Sequence, residues 1–495
     1  MPVSAEPDHP AVRSLIPARL DRLPWSRIHT KMMVALGVAW ILDGLEITIA
    51  SVVGGALTDH DTLNLSAAAV GAMASAYLLG QVVGALVFGS FADKWGRRNL
   101  FMITLVVYLV GTCLTAATAG ATIGWVIYLY ATRFIAGLGV GGEYAAINSA
   151  VDELVPPRHR GRADIGMMGS YWAGAAFATL MEVVIYDRFS ADNPNLAWRL
   201  GFLLGPLLGL VILFVRRNLP ESPRWLIMHG RAAEAEANLD LIEREVVKSG
   251  HRLPEVDPER ALEIRPVKRY NYLTLARLLF REYPGRFILC ASMMITSSFL
   301  YNAIYFTYTA VLKIFFDVPN TSLPWYGLAF ALGNLIGPLV LGRYFDTVGR
   351  RPMIIGTYLI AGVGLAISAY IFKIGLMNAE TQTAAWVVIF FFASAGTSAG
   401  WVTVGESFPL EVRAQAIAVF VALSQLVGAA APLFYGLLID KDHPEPGKLF
   451  IGYAIGAALM IIGAVTAMRL AIAAEGKPLE DITPPLSAIG GASQT

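Results

Sequence analysis

Five ionisable residues fall inside long apolar stretches of this sequence. They are Asp43, Glu46, Arg133, Glu143 and Glu182. A charged side chain in hydrocarbon is costly, so residues of this kind usually serve the movement of protons, ions or substrates. An acid beside a fixed guanidinium suits this task, because protonation of the acid removes its attraction to the cation. The pattern therefore predicts a proton-handling site.

Asp43 and Glu46 are the most informative of these residues. They lie three positions apart, which places them on one face of a helix and one turn from each other. Two carboxylates so placed repel each other, and proton uptake by one of them relieves the repulsion. Glu143 lies in a glycine-rich run and is interpreted as a gating or packing residue, and Glu182 as an interfacial carboxylate.

The elements that position these residues are predicted to be membrane-spanning helices. The chain has 495 residues, of which 56% are hydrophobic and only 15% charged, too apolar for a water-soluble core. Crossing about 30 Å of hydrocarbon takes roughly 20 apolar residues. Twelve stretches meet this need: 31–57, 66–91, 99–119, 123–148, 164–187, 197–215, 286–312, 324–343, 352–372, 384–407, 413–438 and 449–470.

The segments outside these stretches are polar. Residues 1–30 are predicted to form a disordered cytosolic tail, 216–285 a cytosolic linker with short helices, and 473–495 a second cytosolic tail. Apolar residues at helical spacing in 231–248 predict a surface helix that braces the linker. With the amino terminus inside, 31 of the 38 Lys and Arg residues face the cytoplasm. Cytoplasmic loops carry such an excess, so both termini of this inner-membrane protein are predicted to be cytoplasmic.

Two motifs occur twice at one offset. GSFADKWGRR at 89–98 returns as GRYFDTVGRR at 342–351, which is 253 residues later. The second motif has the same offset and pairs Glu153 with Glu406, Pro156 with Pro409, Arg160 with Arg413 and Ala163 with Ala416. Chance matches would not share one register, so the chain is a duplication. The fold class is therefore all-α, with two parallel six-helix bundles at 31–215 and 286–472.

The duplicated loops are predicted to form a cytoplasmic gate. Each places an Asp beside a Gly and two arginines, so that a carboxylate at one helix end can bind cations or a neighbouring helix amino terminus. The glycines suit a tight turn. The candidate gate residues are Asp93, Gly96, Arg97, Arg98, Glu153, Arg160, Asp346, Gly349, Arg350, Arg351, Glu406 and Arg413.

These motifs resemble the major facilitator superfamily, whose loop between the second and third helices carries a Gly, an Asp, a Gly and paired basic residues. Other features are similar to its sugar porter, organic-ion and synaptic-vesicle branches: Arg133 with Gly137, Gly139 and Gly141, the run PESPRWL at 220–226, and Trp401. The resemblance covers nearly the whole chain and implies two bundles that rock about a central site. It implies that Glu46 is the proton-coupling acid and that Arg133 pairs with it, with Asp43 as the neighbouring acid.

Polar and aromatic residues in three spans are candidate substrate ligands. Tyr301, Asn302 and Tyr305 lie at helical spacing in the seventh span, which the resemblance implies faces the cavity. Trp401 matches a cavity tryptophan of the family, and Gln425 is a polar residue in an apolar span. An aromatic stripe can equally serve packing or the membrane interface, so both interpretations stand.

The same resemblance argues against a hexose. Sugar porters grip hexose hydroxyls with glutamines in spans five and seven, and at those positions this chain carries Ala175, Thr296 and Ser297.

The sequence thus predicts a secondary active transporter that moves a small polar or anionic metabolite by proton-coupled symport. Its predicted partners are the substrate, protons and the lipid bilayer. A uniporter or exporter is the alternative, and a transporter-like sensor without net flux is another, although a linker of about 70 residues is short for a signalling domain. The sequence predicts no cofactor, metal, nucleic acid or obligate protein partner, and no enzyme activity, because no Walker loop, metal-binding cluster or triad spacing occurs.

Overall fold

The computed structural model describes residues 12–57, 60–65, 67–189, 193–216, 221–264, 271–305, 307–319, 322–439, 444–484 and 486. The elements of the amino-terminal half are β1 (Val12–Ser14), α1 (Ile16–Asp21), α2 (Arg27–Ala56), α3 (Ala67–Trp95), α4 (Arg97–Ala116), α5 (Ile123–Leu154), α6 (Arg160–Gly169), α7 (Tyr171–Phe189) and α8 (Pro194–Arg216). The linker contributes α9 (Pro223–Met228), α10 (Ala232–Lys248), β2 (Leu262–Ile264) and α11 (Tyr272–Arg281).

The elements of the carboxy-terminal half are all helical. They are α12 (Pro284–Tyr305), α13 (Tyr308–Phe316), α14 (Leu323–Thr347), α15 (Arg350–Lys373), α16 (Ala379–Ser407), α17 (Arg413–Leu438), α18 (Pro446–Leu470) and α19 (Leu479–Ile482). The seventh predicted span is therefore divided into α12 and α13 rather than continuous.

Eleven helices in the described part of the chain are long and apolar enough to cross a membrane: α2, α3, α4, α5, α8, α12 and α14 to α18. The predicted fifth span, 164–187, is divided between α6 and α7 at Ser170. The Ser170 hydroxyl donates to the carbonyl of Gly37, at 3.1 Å, and to the carbonyl of Met167 one turn earlier. Such a bond competes with the helical ladder. The eleven helices and the α6–α7 pair make up the twelve predicted spans.

Helix packing within the amino-terminal half depends on close backbone contact. Gly44 on α2 and Gly174 on α7 face each other's helices. A Cβ at Gly44 would collide with the carbonyl oxygen of Tyr171, and a Cβ at Gly174 with that of Ile41. Small residues let helices approach where lipid offers no hydrophobic drive for association.

The two halves meet along two helix contacts. Helix α17 packs against α3 and α5, and α14 packs against α6 and α7. The site described below lies between these contacts, so its walls come from both halves.

The amino-terminal tail differs from its prediction of disorder, because residues 12–21 form β1 and α1. Strand β1 pairs antiparallel with β2 of the linker. Arg19 on α1 binds Asp240 and Glu243 on α10, each at 2.7 Å. Helix α10 is the predicted brace, and the apolar side chains that spacing placed on one of its faces are buried: Leu239, Ile242 and Val246. Charge pairing therefore orders a segment whose composition favours disorder.

Arg224 ties three polar segments together at one end of the molecule. Its guanidinium binds Asp21 of α1 at 2.7 Å and Glu480 of α19 at 2.9 Å. Burial raises the pKa of Asp21, although Arg224 opposes the shift. Burial acts in the same direction on Glu480. There the charge of Arg224, hydrogen bonds from Arg224 and the backbone, and the charge of Arg413 together outweigh burial, and the pKa of Glu480 lies below its usual range. The amino-terminal tail, linker and carboxy-terminal tail thus share one side of the protein.

Candidate functional site

A cavity of about 160 Å3 lies between the two halves. All five predicted substrate ligands line it: Tyr301, Asn302, Tyr305, Trp401 and Gln425. Asp43, which the sequence assigned to proton coupling, also lines it. A cavity of this size is close to the roughly 150 Å3 that holds a ligand as large as benzene.

Two hydrogen bonds join the halves beside the cavity. The hydroxyls of Thr48 on α2 and Tyr305 on α12 are 2.6 Å apart, and the Gln425 amide on α17 donates to the Gln81 oxygen on α3 at 2.8 Å. Movement of one bundle against the other must break or exchange both bonds. The apolar setting of Gln425 suggested a binding role, and the structure adds this contact between the halves.

Asp43 is buried against two tyrosines. Its Oδ1 accepts a hydrogen bond from the Tyr77 hydroxyl at 3.2 Å, and its Oδ2 accepts one from the Tyr144 hydroxyl. The side chain is only 4% exposed, yet it forms no salt bridge within the described part of the chain. A buried carboxylate is stable here because hydroxyl donors replace part of its lost hydration.

Glu46 has a different environment from Asp43, although they are one turn apart. It forms a buried ion pair with Arg133 on α5. Its oxygens also accept hydrogen bonds from Tyr108 at 3.1 Å and from Thr112 at 3.5 Å, both on α4. Helix periodicity places the two acids on one face, but only the tertiary packing separates a cavity-facing acid from an ion-paired one.

Tyr77 connects these two acids. Its hydroxyl donates to Asp43, and the Arg133 guanidinium carbon lies 4.4 Å from the centre of its ring. Arg133 is also within 5.2 Å of the Phe202 ring centre. The contacts form a continuous path from Glu46 through Arg133 and Tyr77 to Asp43 at the cavity. The sequence alone did not indicate Tyr77, because a tyrosine in an apolar stretch is typical of helix packing.

Three further aromatic cavity residues were also missed: Trp40, Tyr144 and Trp172. Trp40, Tyr144 and Trp401 form a cluster with ring centres 4.9 to 5.5 Å apart, and Trp172 lies 5.5 Å from Tyr301. Small hydroxyl residues from several helices complete the lining, namely Ser297, Ser298, Ser394, Thr397, Ser398 and Ser424. Serines scattered over several spans carry no periodic signal, so only the fold could assemble them.

Several candidate gate residues meet where the two halves contact each other. Asp346 at the end of α14 accepts hydrogen bonds from the backbone N–H groups of Gly161, at 3.1 Å, and Arg162, at 2.7 Å. These groups open α6, whose amino terminus favours an anion. Arg350 donates to Asp346 at 2.8 Å and is itself buried. A carboxylate of one half therefore caps a helix of the other.

The second repeated motif joins the same cluster. Glu406 binds Arg350 at 3.0 Å and lies 3.6 Å from Arg160, which comes from the other half. Arg413 is buried and donates to the Phe408 carbonyl at 3.4 Å. The predicted gate residues of the carboxy-terminal half are thus largely brought together.

The remaining gate residues have varied positions. Gly96 and Gly349 precede α4 and α15 with φ of 83° and 115°, backbone conformations that favour glycine. Buried Glu153 offers its carbonyl to Arg224, and Arg351 donates to the Met468 carbonyl instead of joining the cluster. Three side chains lie outside the described part of the chain: Asp93, Arg97 and Arg98. So does that of Glu182.

Two helical bundles around a shared cavity, with a buried ion pair beside it, are the architecture of a membrane transporter that works by alternating access. The sequence profile of the family described as "Sugar (and other) transporter" matches residues 45–485. The chain belongs to this family, whose members are transporters and not enzymes. It is therefore a secondary active transporter of small molecules, and the predicted fold class and family are confirmed.

Individual relatives are more distant. The niacin transporter NiaP of Acinetobacter baylyi is 26% identical over 473 residues, which cover 94% of this chain and 99% of the relative. A D-xylose transporter of Levilactobacillus brevis is 26% identical over 420 residues, covering 81% and 84%. Among solved structures, the proton:xylose symporter XylE bound to 6-bromo-6-deoxy-D-glucose superposes with a TM-score of 0.77 at 20% identity, covering 92% of this chain and 98% of that one. This last likeness shows the fold.

Proposed function

We propose that this protein is a proton-coupled symporter that accumulates a small polar metabolite, and that Glu46 carries the coupling proton. The observation that supports this most directly is the buried pair of Glu46 and Arg133, 0% and 1% exposed. Protonation of Glu46 removes the charge that holds Arg133, so the pair has two states.

The contacts of Arg133 provide a route from that switch to the substrate. Arg133 packs on the Tyr77 ring, and Tyr77 donates to Asp43 on the cavity wall. A shift of the guanidinium on protonation of Glu46 therefore changes the donor geometry at Asp43. Substrate binding at the cavity acts back on Glu46 through the same contacts, as linkage requires.

The proposed location is the inner membrane with both termini in the cytoplasm. The structure places α1, α10 and α19 on one side of the protein, where the basic linker also lies. The excess of Lys and Arg on that side favours the cytoplasmic face. The cluster of Asp346, Arg350 and Glu406 is then the cytoplasmic gate, in a closed state.

The test compares wild-type protein with Glu46→Gln in proteoliposomes. In the wild type, an imposed inward proton gradient should drive accumulation of substrate above its external concentration. Glu46→Gln should keep exchange of internal for external substrate but lose the gradient-driven accumulation, because a neutral amide cannot carry the proton. Glu245→Gln removes an exposed acid of α10 and should keep both activities.

Three outcomes would contradict the proposal. Unchanged gradient-driven accumulation in Glu46→Gln would remove the coupling role from this residue. Equal loss in Glu245→Gln would mean that the loss is not specific to the buried acid. Equilibration without accumulation in the wild type would identify a uniporter.

A further inference from the structure

The cavity carries a strong charge asymmetry. Asp43 is its one ionisable acid, and none of the described residues that line it is a Lys, Arg or His. Burying an unpaired charge is unfavourable, and Asp43 has only the hydroxyls of Tyr77 and Tyr144 as partners among the described residues. An anionic solute would meet this carboxylate without any compensating cation. Of the two predicted substrate classes, polar and anionic, the lining therefore favours a polar substrate.

Asp43 retains acceptor capacity for a ligand. A carboxylate offers about four lone-pair sites, and each Asp43 oxygen has one recorded tyrosine donor. A ligand N–H or a positive nitrogen can therefore approach the remaining positions and supply the missing counter-charge.

Aromatic rings surround this carboxylate. Trp40 precedes Asp43 by one turn of α2 and stacks on Tyr144 with ring centres 4.9 Å apart. Trp401 from the other half lies 5.3 Å from Trp40 and 5.5 Å from Tyr144. All three line the cavity. Ring faces attract cations and stack on planar ligands.

We propose that Asp43 and the rings of Trp40, Tyr144 and Trp401 form a subsite for a planar aromatic nitrogen compound. The ligand carries a positive charge or N–H donors directed at Asp43, and the site discriminates against anions. This inference rests on the proposed function, since it assumes that the cavity is the transport site. It assigns Asp43 to substrate recognition, while Glu46 carries the proton.

The test uses three probes that share one ring and differ in charge: nicotinate, nicotinamide and 1-methylnicotinamide. Binding to the full-length protein in lipid nanodiscs is measured by calorimetry at neutral pH without a proton gradient. In the wild type, 1-methylnicotinamide and nicotinamide should bind at least about tenfold more tightly than nicotinate. Asp43→Asn should reduce the affinity for 1-methylnicotinamide about tenfold or more while changing that for nicotinamide only slightly.

Glu245→Gln is the control, because it removes an exposed acid of α10 that does not line this cavity, and it should preserve the order of the three probes. Trp401→Phe should weaken both ring ligands without changing the charge preference. Should Asp43→Asn fail to fold, the wild-type order alone decides. Nicotinate binding as tightly as the other two, or no binding of any probe at millimolar concentration, would overturn the subsite.

These results are separable from those on coupling. A preference for the cation without proton-driven uptake would leave the subsite standing and remove the proposed symport. Proton-driven uptake together with tightest binding of nicotinate would support the proposed symport and overturn the subsite.

Discussion

Replacing Asp346 with alanine should open the end of the transporter at which Asp346 caps α6. Asp346 accepts two backbone hydrogen bonds from the other half, at 3.1 and 2.7 Å. A hydrogen bond to a charged group contributes about 1.5 to 3 kcal/mol, and a carboxylate at a helix amino terminus up to about 1 kcal/mol more. Solvent exposure and structural relaxation reduce this sum, so we take about 3 kcal/mol as the stabilisation that the Asp346 contacts give to the closed gate.

These bonds exist only when the gate is closed, so their loss acts on the conformational equilibrium. A change of about 3 kcal/mol corresponds to a shift of roughly 150-fold towards the open state. The carboxy-terminal half should keep its fold, because Arg350 retains Glu406 at 3.0 Å. Asp346→Ala should therefore change the population of states more than the melting temperature.

The assay measures the width of the gate by electron paramagnetic resonance. Spin labels are placed at Arg158 and Val348, two exposed positions on loops of opposite halves, after both cysteines, Cys113 and Cys290, are replaced by serine. In the closed wild type one short distance should dominate. In Asp346→Ala a longer distance should become the main population.

The control is Glu245→Gln, which breaks an exposed pair with Lys248, 2.7 Å long, within α10. It should leave the distances unchanged, since exposed pairs of this kind contribute little. If Asp346→Ala gave the same distance distribution as this control, the gate would not depend on the capped helix and the reasoning would be refuted.

Two further predictions concern the polar segments and the packing. Arg19→Ala should release β1 and α1, measured as faster hydrogen exchange in residues 12–21. Acid should have the same effect on the wild type. Burial raises the pKa of Glu243, but hydrogen bonds from arginines outweigh burial and hold the pKa of the folded protein below 4.5. The pairing therefore stabilises β1 and α1 fully above pH 4.5, and this stabilisation is lost as the pH falls through the pKa of the folded protein. If hydrogen exchange in residues 12–21 did not respond to Arg19→Ala or to acid pH, the result would contradict the pairing. Gly44→Ala should lower the free energy of unfolding by about 1 to 3 kcal/mol through overpacking. Gly166→Ala is the control and should leave the stability unchanged, because a Cβ there meets open space. Equal melting temperatures of the two variants would contradict the close α2–α7 contact.

Several features of this protein follow from local sequence alone. Span length depends only on runs of apolar residues, so α2, α14 and α16 are close to their predicted ranges. The turns at Gly96 and Gly349 follow from a motif repeated in one register. Breaks within spans were not predictable in this way. Ser170 divides α6 from α7 through bonds to Met167 and Gly37, and apolar composition is insensitive to such a bond.

Hydropathy and repeats are properties of the linear sequence, so they were enough to predict the membrane class, the duplication and the residue types of the site. Only the tertiary structure decided which acid faces the cavity. Asp43 and Glu46 share one helix face, yet α3 and α5 supply tyrosines to the first and α5 supplies Arg133 to the second. Partners more than 30 residues away set these environments, and helical periodicity contains no information on them.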